Sequence, residues 1–306
     1  MFKVIRYSAL IAVCLVGGAL AFGDIGSFGS EMYKGESMIC VMEEVDTSPI
    51  VVIVPHPDDE AFGFAGTLGA AVAAGAPVRV YLLSDGEYAK AANEWALQHM
   101  DSCSSKEEGL GEVERAAFGL ARRTEFINSM EVLGISTDSL VFLGGDCGRA
   151  VLESPLTAHA LAEYIAQDCA QMGFSLCGAT KVFTVAPQLG DCAAALFYGE
   201  QHKHQIPQAH ELSVSAAALL SAENQELNSS NVYFFKVYAH SAKNAQARAP
   251  FVFVARNDAG DYRLESIEQY SEIGKISAPN IYRGARRSQV EYASTLEQVR
   301  DAGFKF

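Results

Sequence analysis

Apolar residues along this chain come in short unbroken runs separated by stretches of helical spacing. Ile50 to Val54 is five apolar residues in succession, closed by Pro55, and predicts a strand buried on both faces. A small-residue helix follows from about Ala61 to Ala74, stopped by Gly75 and Pro77. Gly63, Gly66 and Gly69 weaken that helix and are expected where backbone must press closely on the sheet or a ligand. Val78 to Leu83 is the second predicted strand, and the two strands with their helix form a right-handed crossover unit.

The alternation continues. Val113, Ala116, Ala117, Leu120, Ala121, Ile127 and Met130 recur at helical spacing, and Gly134 ends that helix before a strand over Ser139 to Leu143. Ser154 and Pro155 are read as cap and first residue of the next helix, which Gly173 closes ahead of a strand over Lys181 to Ala186. A further helix precedes strands at Val232 to Ala239 and Phe251 to Ala255, and residues 264–306 show two weak helical patterns. Only residues 87–112 break the rhythm: they are polar and irregular, and a loop this long beyond a strand's carboxyl end is expected either to rim a binding site or to be a solvated excursion pinned by Trp95. The pattern therefore predicts an α/β fold with a mostly parallel, doubly wound sheet and helices on both faces. Residues 48–306 are read as a single domain, preceded by an irregular lead-in over 22–47.

Residues 1–21 carry Lys3 and Arg6 ahead of an apolar stretch that ends in Ala19-Leu20-Ala21, the layout of a cleavable export signal. The stretch is short for a span of about 20 residues, so a secreted or periplasmic protein without a stable membrane span is expected. Removal of Lys3 and Arg6 takes the formal charge from −14 to two units lower. So acidic a chain, with no basic stripe, argues against a nucleic-acid partner. Six cysteines remain after the signal, a count that permits disulfides in an exported protein, but no Cys-x-x-Cys spacing marks a zinc knuckle or redox pair.

The chemistry concentrates behind the first strand, in Pro55-His56-Pro57-Asp58-Asp59-Glu60. Open parallel sheets bind ligands beyond the carboxyl ends of their strands, and the two prolines stiffen the turn. An imidazole and a carboxylate three residues apart can converge on one cation, which leaves a further carboxylate to act as base toward a water. The competing reading makes Asp58 or Asp59 the N-cap of the helix beginning near Ala61.

This hexapeptide, with the following small-residue helix, the second strand and the turn Ser84-Asp85-Gly86, resembles the PIG-L/LmbE-like family of metal-dependent de-N-acetylases. The resemblance covers most of residues 48–215 and implies a three-layer, Rossmann-like fold. It implies that His56 and Asp59 bind zinc, with Fe²⁺ or Mn²⁺ also compatible with such donors, and that Asp58 is the general base. Arg122 and Glu125 match an Arg-x-x-Glu helix of the family, which makes Arg122 a substrate contact; read alone, it is one half of a surface ion pair. Asp146, in the Gly-rich turn after the third strand, is a further substrate-site candidate.

The family's second motif is a His-x-x-His element. Here the corresponding segment reads His202-Lys203-His204, one residue short. His204 is assigned as the third metal ligand and His202 as the group that steadies the oxyanion, with the two roles interchangeable. His210 is read as structural. The implied function is removal of the N-acetyl group from an amino sugar of the N-acetylglucosamine type, or its conjugate. Two rivals stand beside it. The altered spacing suits a carbohydrate-binding protein that has lost turnover, and His56-x-Asp58 with a later histidine suits a non-haem iron oxygenase.

Overall fold

The computed structural model describes residues 47–89, 91–100, 110–144, 157–186, 206–224, 226–237, 253–256, 262–273, 276, 282 and 290–301. Seven strands form one sheet: β1 (Ile50–Val54), β2 (Val78–Leu82), β3 (Leu140–Phe142), β4 (Lys181–Val185), β5 (Val232–Phe235), β6 (Phe253–Arg256) and β7 (Val290–Thr295). Their order is β3-β2-β1-β4-β5-β7-β6. The first five are parallel, with Val54 beside Leu82 on one flank of β1 and Val52 beside Phe183 on the other. β7 runs antiparallel to both β5 and β6.

Strand order reverses between β1 and β4, so the chain leaves those two strands toward opposite faces and opens a crevice at their carboxyl ends. The helices divide accordingly. On one side α5 (Ala158–Gln171) packs on α6 (Ile206–Glu223); on the other, α7 (Tyr262–Gln269) packs on α2 (Ala65–Ala73) and α4 (Glu112–Val132). The core between these layers and the sheet is apolar, and all five β1 residues are buried, which explains why that run carries no alternation. Among the described residues no helix is long and apolar enough to cross a membrane. Cys169 and Cys177 are free thiols; the signal segment, the lead-in and the other cysteines lie outside the described residues.

Four expectations need correction. The helix after β1 is two, α1 (Asp59–Gly63) and α2, because Phe64 leaves helical geometry between them. Its ring is fully buried against Phe235 and Phe183, with centroids 5.1 and 6.1 Å away, so packing outweighs one more turn of helix. The cap of α5 is Thr157, whose side chain accepts from the Ala160 amide; Ser154 and Pro155 lie outside the described residues. Residues 87–112 are not wholly irregular: α3 (Ala91–His99) buries Trp95 against Phe118.

The fourth concerns the C-terminal part, where one weak helical pattern is the strand β7, followed by α8 (Leu296–Asp301). Glu291 of β7 turns inward and accepts the Gly66 and Thr67 amides at 2.6 and 2.8 Å, at the start of α2. A carboxylate there satisfies amides that have no partner within the helix. Burial raises its pKa, opposed by Arg263 and by the bonds from Thr67 and Gly66.

Candidate metal centre and active site

β1 ends at Val54, and the five residues behind it turn through the elbow that starts α1. Asp59 is the first residue of that helix and is buried with its carboxylate turned back. Oδ2 accepts the His56 amide at 3.1 Å and lies 3.3 Å from His56 Nδ1. A second imidazole arrives from the opposite layer: His210 Nε2 stands 3.3 Å from the same oxygen. The His56 and His210 rings are tilted, 5.1 Å apart.

His56, Asp59 and His210 each present a ligand atom within 4.8 Å of the others, and all three are buried. Two imidazoles and a carboxylate converging away from bulk water are the donor set of a divalent transition metal, so these residues fit one. Burial by itself would raise the Asp59 pKa. The charge and hydrogen bonds of His210, then those of His56, overcome it and hold this carboxyl far below the ordinary range.

Asp58 is built differently. It adopts φ 101° and ψ −23°, the left-handed region, and is the one non-glycine residue there among those described. Such a backbone costs about 1–3 kcal/mol and persists only where its surroundings hold it. Its amide donates to Glu60 Oε2 at 3.2 Å, and its Oδ2 accepts from Arg122 Nη2 at 3.0 Å. No side-chain cap bond joins Asp58 to α1, so the capping alternative is not its role.

Arg122 is buried in α4 rather than exposed in a surface pair. Besides Asp58 it donates to the Pro57 carbonyl and, at 3.2 Å, to the Gly86 carbonyl. It thus ties the turn behind β1 to the turn behind β2. Gly86 has φ 66°, and a Cβ there would overlap Arg122 Nη1, so glycine is what admits the guanidinium. In the same turn Asp85 receives Arg123 through both carboxylate oxygens, and Arg123 reaches on to the Gly144 carbonyl at 2.8 Å.

Glu60 completes the elbow from within. It is fully buried, and its Oε1 accepts from Ser129 Oγ at 2.8 Å and from the Tyr270 hydroxyl. Burial pushes its pKa up to about 7, with both hydroxyl donors opposing the rise. Glu125, one turn beyond Arg122, accepts the Glu272 and Ile273 amides at 3.1 and 3.2 Å, and burial raises it to about 7 as well.

With the elbow, the guanidinium bridge and the Asp85 turn in place, residues 51–180 match the model of the GlcNAc-PI de-N-acetylase family, PIG-L. This segment is similar to a PIG-L domain. It contains His56, Asp58, Asp59 and Arg122, and ends immediately before β4, so His210 and Tyr270 lie beyond it. No curated protein matches the chain in sequence.

Solved structures resembling the chain include the 4-carboxy-2-hydroxymuconate hydratase GalB of Pseudomonas putida. It is 17% identical over 82% of this chain and 96% of that one, with a TM-score of 0.49. Teicoplanin deacetylase Orf2 in a zinc-inhibited form is 17% identical over 81% and 98%, with a TM-score of 0.46. N,N'-diacetylchitobiose deacetylase from Pyrococcus horikoshii is 15% identical over 78% and 70%, with a TM-score of 0.42.

Of the residues singled out in the sequence, the structure brings His56, Asp58, Asp59 and Arg122 together. His202, His204 and Asp146 lie outside the described residues. The imidazole that meets Asp59 within them is His210, which the sequence reading set aside as structural. The reason is where α6 starts: at Ile206, which puts His210 little more than a turn from the amino end, against β1 and β4. One signal pointed there. His210, Val214, Ala217 and Ser221 share one buried helical face, so this histidine looks into the molecule at the carboxyl edge of the sheet.

Proposed function

We propose that this protein is a metal-dependent hydrolase that removes the N-acetyl group from an amino sugar of the N-acetylglucosamine type, or from its conjugate. The observation that carries the reading is the convergence of His56, Asp59 and His210, with the Asp58 carboxylate one residue from the cluster and held by Arg122. His56, Asp59 and His210 hold a divalent ion, Zn²⁺ first among Zn²⁺, Fe²⁺ and Mn²⁺. When bound, that ion supplies Lewis acidity to the acetyl carbonyl and acidity to a water.

Asp58 accepts the proton of the attacking water and returns it to the amine as the carbon–nitrogen bond breaks, so acetate and a free amino sugar leave. Arg122, 3.0 Å from Asp58, keeps that carboxylate aimed. His202 and His204, directly ahead of α6, are proposed as donors to the carbonyl oxygen as it gains charge. The protein is exported, with residues 1–21 removed; N-terminal sequencing of the exported chain tests this.

The binding-only alternative drew on the shortened spacing of His202 and His204. His210 supplies a third donor without either, which favours turnover. The oxygenase reading used Asp58 as a ligand, whereas Asp58 pairs with Arg122 and it is Asp59 that meets the imidazoles.

The deciding assay incubates the zinc-loaded protein with N-acetylglucosamine and its glycosides and measures acetate and free amine together. Stoichiometric release that stops on chelation and returns with metal supports the hydrolase. Binding of the sugar without release makes the protein a lectin-like relative.

A further inference from the structure

Among the described residues, the strained Asp58 is held at its carboxylate by Arg122 and at its carbonyl by the Phe62 amide, 3.0 Å away. Its own amide donates to Glu60 Oε2. Glu60 cannot turn away, since it is fully buried and its second oxygen is occupied by two hydroxyls from distant parts of the chain. Ser129 comes from α4 and itself touches Ser266 Oγ of α7 at 2.8 Å; Tyr270 follows directly on α7 and is buried to within 1%. A carboxylate fixed at one oxygen by two donors presents its other oxygen in one place.

The same C-terminal layer grips the elbow's helices at two more points. Arg263 of α7 donates to the Phe62 carbonyl at 2.8 Å, and Glu291 of β7 receives the first amides of α2. Arg263, Ser266, Tyr270 and Glu291 all stand beyond the PIG-L match, which ends at residue 180. None of them is among the metal-binding donors.

We propose that Tyr270 and Ser129 are positioning residues for the hydrolysis: acting through Glu60, they hold Asp58 in its left-handed conformation beside the metal-binding residues. This inference rests on Asp58 being the base. Through Tyr270 the C-terminal layer positions the proposed base.

The test uses the full chain with Tyr270→Phe, Ser129→Ala and the two combined, each of which deletes a hydroxyl and leaves the packing shape. Two readouts are taken. Crystal structures of wild type and the double variant report the Asp58 backbone, and steady-state kinetics with N-acetylglucosamine report kcat and KM. The expected result is that Asp58 leaves the positive-φ region or splits between conformers in the double variant. With it, kcat falls between about ten- and a hundredfold while KM and bound metal are unchanged, because small displacements of a reacting group are costly. Combining Glu60→Asp with Tyr270→Phe is then no worse than Glu60→Asp alone.

An Asp58 backbone superimposable on wild type in the double variant overturns the proposal, whatever the kinetics. So does a Tyr270→Phe loss that multiplies undiminished onto Glu60→Asp. Should the wild type release no acetate, the hydrolase reading fails, and the crystallographic comparison still decides whether these hydroxyls hold Asp58.

Discussion

Nη2 of Arg122 stands 3.0 Å from Oδ2 of Asp58, and both side chains are buried. A carboxylate paired with a buried guanidinium is held in one orientation, which a base needs in order to meet the proton it takes. The pair ties the turn behind β1 to α4, and Arg122 reaches on to the Gly86 carbonyl of the turn behind β2.

Replacing Asp58 by Asn keeps the side-chain shape and removes the base. Turnover should fall by about 10²–10⁴-fold, the usual contribution of a positioned acid–base group. Metal content, read by elemental analysis, should match wild type because Asp58 is not among the converging donors. A normal rate would remove Asp58 from the mechanism.

Arg122→Ala leaves Asp58 buried without its guanidinium partner. Breaking such a pair from one side costs about 3–5 kcal/mol, so the melting temperature should drop by many degrees and activity should go with it. Arg122→Lys should recover only part, since an ammonium cannot reach the Asp58 carboxylate and the Pro57 and Gly86 carbonyls with one planar fork. Equal melting temperatures for wild type and the alanine variant would contradict the bridge.

Gly86→Ala should be among the most damaging single-methyl additions in the chain. The backbone there has φ 66°, and the new carbon would overlap Arg122 Nη1. Denaturant unfolding should show a loss above about 1 kcal/mol. Gly75→Ala is the control, with φ 97° but open space around the added carbon.

Glu125 gives a pH signature. Its carboxyl titrates near 7 in the folded protein against an ordinary value of 4.5 because burial disfavours the charge. The folded state therefore holds an extra proton between those values. Stability contributed by this group is full below 4.5 and is lost as pH rises toward 7, by about 1.4 kcal/mol per pH unit in that window. Glu125→Gln should remove that slope, so the stability difference between variant and wild type should grow in favour of the variant from pH 5 to 7. A pH-independent difference would show that Glu125 is charged throughout.

The elbow was legible because an uninterrupted apolar strand and two prolines leave little freedom to the residues between and behind them. The doubly wound order followed from alternation for the same reason. The burial of Arg122 was not legible: its partner Asp58 is 64 positions away, and helical spacing alone cannot separate a buried arginine from an exposed one. His210 was passed over because spacing was counted toward His202 and His204, while α6 begins after both. β7 escaped because its pairing is antiparallel and its Glu291 faces inward, which no strand pattern announces. The break at Phe64 belongs to tertiary packing, which overrides local helix preference.

The most direct test of the central claim is a crystal structure of zinc-loaded protein with anomalous data collected on both sides of the zinc edge. One strong peak is expected within coordinating distance of His56, Asp59 and His210, lost in His210→Ala. A peak coordinated elsewhere, or one that persists unchanged without the His210 imidazole, would contradict the claim.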